Sequence, residues 1–212
     1  MPRTIRLAVL VSGEGTTLDA LAERVQGGHV PARIVLVLAD RPHAGAIEKA
    51  RARGLPTRVL PFRGTSLEAW SRAATDALCD SDTELVLLAG FLAILPGTFL
   101  NAWAGRVVNV HPSLLPKHGG PGMYGERVHA SVLASGDRTT GATLHVVTEG
   151  VDAGPVLDSA SVPVEPGDTP KVLRARVRPL EIRLISELVR DLAEGRRALP
   201  LAQPEADRRA RA

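Results

Sequence analysis

Short apolar runs alternating with stretches of helical periodicity leave this chain few folds to choose from. Ile5–Val11, residues 33–39, 57–60 and 84–89, and Val107–His111 each have the length and branched aliphatic content of a buried strand. Between them, Leu18, Leu21 and Val25 recur at helical spacing, residues 44–54 suit a second helix, and 94–104 a fourth. The third opens on the capping-box pattern Thr65-Ser66-Leu67-Glu68 and runs to about Cys79. Strand and helix in regular succession predict an α/β fold with a doubly wound, mostly parallel sheet. The second half departs from that rhythm. Residues 141–147 alternate like a strand, 148–155 read as a turn, and 156–164 form a further strand expected to run antiparallel. A long C-terminal helix is expected within 170–194, with Leu180, Leu184, Leu188 and Leu192 on one stripe and Pro179 starting or kinking it. There are no repeats and no clear linker, so residues 1–195 are expected to form one domain. Residues 196–212 are expected to be a loose, Arg/Ala/Pro-rich tail.

Composition narrows the partners. At 212 residues the chain can bury a substantial core, and 44% hydrophobic content with a mean hydropathy of +0.05 is ordinary for a soluble domain. Aromatics are only 3%, so Ala, Val, Leu and Ile must build the core, and a base-stacking surface for RNA or single strands is disfavoured. The net charge of +3 comes from Arg196, Arg197, Arg208, Arg209 and Arg211 against Glu205 and Asp207. The rest of the chain balances 21 basic against 21 acidic residues, so the basicity is a tail and no nucleic-acid partner is expected. Lone Cys79 excludes an internal disulfide and, placed among Ala73, Ala77 and Leu78, predicts a buried structural thiol. No secretory pattern opens the chain and no apolar segment reaches the ~18 residues of a membrane span, so a cytoplasmic protein is expected.

Two stretches could carry chemistry. Val107-Val108-Asn109-Val110-His111 stops at Pro112, which cannot donate to a sheet ladder. The period of two puts Asn109 and His111 on one face, with the imidazole at a strand's carboxyl end, where open α/β sheets hold ligands. A strand end with two surface polar residues would look the same. After the first strand, Ser12-Gly13-Glu14-Gly15-Thr16-Thr17 has the parts of an anion site, with glycines that let the backbone approach and amides at a helix N-terminus. The plainer alternative is a tight turn with Thr16 or Thr17 as N-cap. The missing third glycine excludes a dinucleotide fingerprint, and no Gly-Lys-Ser/Thr follows for a P-loop. A glycine-rich stretch at 117–125 has the makeup of a mobile active-site loop. His118 and His129 read as scattered loop and helix histidines, and no metal site is suggested.

Asn109-Val110-His111-Pro112-Ser113-Leu114-Leu115-Pro116 resembles the signature of the folate-dependent formyltransferases. Leu88-Ala89-Gly90-Phe91 before it, and Gly141-Ala142-Thr143 and Val151-Asp152-Ala153-Gly154-Pro155 after it, follow that family's order across most of the chain. The resemblance implies a Rossmann-like formyltransferase fold. It also implies transfer of a formyl group from the co-substrate 10-formyltetrahydrofolate to the amine of glycinamide ribonucleotide, in purine synthesis. Such an enzyme would act on small molecules without a metal, as a monomer or homodimer. By the same resemblance Asn109, His111 and Asp152 are the catalytic residues. Gly13, Gly15, Thr16 and Thr17 would hold the substrate phosphate, and Glu181 would reach the ribose or glycinamide end. The folate would lie against Leu92, Ala93, Ile94 and Leu95 and the turn Thr148, Glu149, Gly150 and Val151.

The chain departs from the family pattern at Glu14 and Thr17, where amides are usual, at Leu67 and Ala93, where Arg is common, and in a longer 117–125 loop. Three other outcomes use related chemistry or the same fold: a 10-formyltetrahydrofolate hydrolase, a formyltransferase for another amine, and a non-catalytic folate- or nucleotide-binding protein. The hydrolase and the tRNA and sugar-nucleotide formyltransferases normally carry an additional domain for which this chain has no room.

Overall fold

The structure, a computed structural model, describes residues 3–201. Seven strands form one sheet in the order β3-β2-β1-β4-β5-β6-β7. The strands β1 (Ile5–Val11), β2 (Ala32–Ala39), β3 (Thr57–Val59), β4 (Leu85–Leu88) and β5 (Val107–His111) are parallel. They are joined in turn by α1 (Thr16–Gln26), α2 (Gly45–Ala52), α3 (Leu67–Asp80) and α4 (Gly97–Ala102). The helix α5 (Glu126–Ala134) precedes β6 (Thr139–Val146) and β7 (Val156–Pro163), which extend the sheet antiparallel, and α6 (Pro170–Ala193) closes the fold.

β1 shows why this sheet is covered on both faces. Ile5, Leu7, Val9 and Val11 point into a core shared with α1, α2 and α6, whereas Ala8 and Leu10 point into a second core shared with α3 and α4. Alternate residues on opposite faces, all apolar, are what a strand buried on both sides requires. The chain leaves β1 toward β2 and β3, then returns to β4 on its other side. That reversal opens a crevice beyond the carboxyl ends of β1, β4 and β5, the usual ligand position in such sheets.

Several expectations need correction. Cys79 is exposed: it falls one residue past Leu78, the last core position of α3. Aliphatic residues do not build the core alone, for Trp70 packs against Phe62, Phe91 and Phe99 and anchors the second core. The cap of α3 is Ser66, whose Oγ accepts from Ala69 N, while Thr65 donates to Pro61 O. The helix expected over 94–104 is shorter, since α4 starts only after Pro96 and ends at Ala102. Pro179 lies inside α6 without starting it. The chain is not loose directly after 195: Arg196 Nε is 2.7 Å from Asp191, and Leu201, in the first core, donates to Gly105 O at 2.7 Å. Residues 202–212, with Arg208, Arg209 and Arg211, lie outside the described residues.

Candidate active site

β5 ends as its sequence requires, at His111, and its register against β6 brings a residue not singled out from the sequence to the site. Asn109 faces His145 across the antiparallel pair. His145 is 2% exposed, and its Nδ1 lies 3.0 Å from Val146 O, a carbonyl that can only accept. Nδ1 is therefore the protonated nitrogen, and Nε2 accepts from Asn109 Nδ2 at 3.1 Å. The second Asn109 amide hydrogen is left on the side of Asp152 Oδ1, 3.5 Å away.

His111 is 3% exposed and bracketed by two acceptors. Its Nε2 donates to His118 O at 2.9 Å, and its Nδ1 stands 3.3 Å from Asp152 Oδ2. Both contacts are satisfied together only by the imidazolium. Asp152 sits in the turn after β6 with φ 54°, an uncommon conformation tolerated by Asp, and Gly120 N donates to its Oδ2 at 3.0 Å. Burial alone would raise this carboxyl. Hydrogen bonding to His111, the nearness of His145 Nε2 at 3.7 Å, the His111 charge and the Gly120 amide outweigh it and hold Asp152 well below the usual carboxylate range. Gly154, two residues on, has no room for a Cβ against Val146 O, which closes the turn onto the end of β6.

The remaining candidates gather round this pair. Leu92, Ala93, Ile94, Leu95, Thr148, Glu149, Gly150 and Val151 all line one cavity of about 110 Å³, together with Leu88, Phe91, Asn109, His145, Val147 and Asp152. Its wall is largely apolar and its polar end is the Asn109/His145/Asp152 cluster. Larger hollows of about 290 and 390 Å³ lie elsewhere and include none of Asn109, His111 and Asp152. At the first loop, Gly15 takes φ 66° directly before α1, and a Cβ there would lie 2.5 Å from Ala46 Cβ, so glycine alone fits. No side chain caps α1, so neither Thr16 nor Thr17 is the N-cap, and the amides of its first turn remain available to an anion. The Glu14 carboxylate is directed at Gly45, the first residue of α2, where a helix's positive end favours it.

Glu181 joins the site from α6. Burial pushes its carboxyl up to about 7, against the pull of nearby Arg178, Arg174, Thr17 and His111. Glu181 is half-buried on α6, within electrostatic reach of the loop threonine and the strand imidazole. His118 and His129 do lie in a loop and a helix, as expected, and both are well packed. His118 is hydrogen-bonded through both ring nitrogens, and His129 is 1% exposed and held neutral by burial, its pKa lowered to about 4.

An acidic, buried Asp–His pair beside a donor amide, at the end of an apolar cavity and next to a helix N-terminus, suits acyl transfer between two small molecules. The chain belongs to the formyl transferase family, whose model matches residues 5–189. It is 34% identical over 193 residues to the phosphoribosylglycinamide formyltransferase of Haemophilus influenzae, covering 90% of this chain and 88% of that one. It is 36% identical over 195 residues to the trifunctional purine biosynthetic protein adenosine-3 of Bos taurus, covering 92% of this chain but only 19% of that much longer protein. The crystal structure of glycinamide ribonucleotide transformylase 1 from Symbiobacterium toebii superposes with a TM-score of 0.84 at 37% identity, covering 92% of this chain and 91% of that one.

Proposed function

We propose that this chain transfers the formyl group of 10-formyltetrahydrofolate to the amine of glycinamide ribonucleotide, with Asn109, His111 and Asp152 as its catalytic residues. The observation that carries the reading is that Asn109 and Asp152 stand at the polar end of the cavity lined by 92–95 and 148–151, with Asp152 Oδ2 3.3 Å from His111 Nδ1. An apolar wall with a hydrogen-bonding end suits a flat pterin whose edge is polar. The phosphate is assigned to Gly13, Gly15, Thr16 and Thr17, and the ribose or glycinamide portion to Glu181. The two substrates then meet at His111.

The task of each group follows from its contacts. Attack of the amine nitrogen on the formyl carbon forms a new C–N bond and places negative charge on the formyl oxygen. Asn109 offers that oxygen the amide hydrogen that His145 does not hold. His111 Nε2 is committed to the His118 carbonyl, so Nδ1 is the nitrogen that exchanges a proton. It donates to the oxyanion and then to the folate nitrogen as the old C–N bond breaks. Asp152 keeps the imidazole charged and accepts, directly or through water, the proton the attacking amine must lose.

The purified protein is expected to release tetrahydrofolate from 10-formyltetrahydrofolate only when glycinamide ribonucleotide is present. Equal release without the amine would assign a hydrolase instead. No turnover in either case would leave a binding protein.

A further inference from the structure

The longer 117–125 loop carries a side-chain cluster that the reaction does not use. His118 adopts φ 57°, which is costly for a residue with a side chain, and its imidazole is tied at both ends. Nδ1 lies 2.8 Å from Ser131 Oγ on α5, and Nε2 lies 2.8 Å from Asp137 Oδ2. Asp137 is shared with Lys117 Nζ at 2.5 Å; these two partners pull its carboxyl down to about 2, so it remains a carboxylate at working pH. The backbone carbonyl of His118 accepts from His111 Nε2, and two residues on, Gly120 N donates to Asp152. Ser113 Oγ closes the turn by donating to Lys117 O at 2.7 Å.

We propose that His118 is a positioning residue: its side chain, clamped between Ser131 and Asp137, holds its own strained backbone so that its carbonyl fixes the ring of His111. The inference rests on His111 being the acid. A carbonyl held 2.9 Å from Nε2 fixes both which nitrogen keeps its proton and how the ring turns, so that Nδ1 faces Asp152. Without the clamp, the preferred backbone at 118 is right-handed or extended, and either turns the carbonyl away from the ring. His111 then loses the partner that makes Nδ1 its proton-exchanging nitrogen. The surroundings of the clamp are Lys117, Asp137 and Ser131, none of which lines the cavity at Asn109 and Asp152, so substrate binding does not depend on it directly.

The test is steady-state kinetics together with histidine ¹⁵N NMR on the ligand-free protein. His118→Ala is expected to lower kcat about 10- to 100-fold, the scale of a misoriented catalytic group, with little change in KM for either substrate. The His111 Nε2–H proton, protected in the wild type, is expected to exchange into water. His118→Gly takes positive φ without strain and should recover part of the lost kcat. If His118→Ala does not fold, Ser131→Ala and Asp137→Asn each remove one tether and should show the same pattern more weakly. Wild-type kcat with the Nε2–H signal in place would overturn the proposal. So would a loss of kcat with that signal unchanged. Because the NMR signal is read without substrate, it tests the clamp even if the amine substrate proves to be another molecule.

Discussion

Glu181→Gln should stabilise the protein at alkaline pH and leave it unchanged in acid. In the fold the Glu181 carboxyl titrates near 7 against an ordinary 4.5. Between those values the folded protein holds a proton that the unfolded chain has released, so stability is lost as pH rises through that window and the loss is complete above it. At 1.36 kcal/mol per tenfold change, the cost to the wild type at pH 8 is about 3 kcal/mol. Glutamine imitates the neutral form and escapes it. His129 works in the opposite sense. Its lowered pKa of about 4 means that stability is lost as pH falls from 6.5 toward 4. The two slopes oppose each other over most of that range, so the wild-type profile should be flat and only the difference between variant and wild type is informative. Urea denaturation at several pH values gives that difference, expected to grow from near zero at pH 4.5 to about 3 kcal/mol at pH 8. A difference that does not vary with pH would refute the buried-carboxyl reading. In kinetics the same variant should raise KM for the amine substrate and leave that for the folate unchanged.

His111→Ala and Asp152→Asn should each lower kcat by about 10²–10⁴, the scale of general acid–base catalysis, and near-normal turnover in either would remove that residue from the mechanism. His145→Ala takes away the acceptor that orients Asn109 and should cost about 10²-fold in kcat, with a stability loss of about 1–3 kcal/mol; unchanged kcat would mean that Asn109 is held by other contacts. Gly15→Ala must accept both a left-handed backbone and the clash with Ala46, so its urea midpoint should fall by the equivalent of about 2 kcal/mol; a midpoint equal to the wild type would show that the loop can rearrange.

What the sequence conceals here has a common physical form. The face shared by Asn109 and His111 is local, because a period of two and a terminating proline are enough to derive it. The place of Glu181 was also available: Val177, Leu184 and Ile185, at i−4, i+3 and i+4, are all buried, so helical periodicity carries the carboxylate inward. His145 differs because its role depends on register, and the register of β6 against β5 is set by how two strands distant in the sequence meet. Alternation placed Thr143 and His145 on one face without saying which residue of β5 each would oppose. His118 is harder still, since it reaches the site by its carbonyl, a group every residue has. Its distinguishing features are a positive φ and two tethers brought in from α5 and the turn after it, and none of these is encoded near position 118. Local patterns thus reveal the candidate catalytic groups themselves. The groups that aim them depend on tertiary contacts, here those that tie the 117–125 loop to α5 and the turn after it.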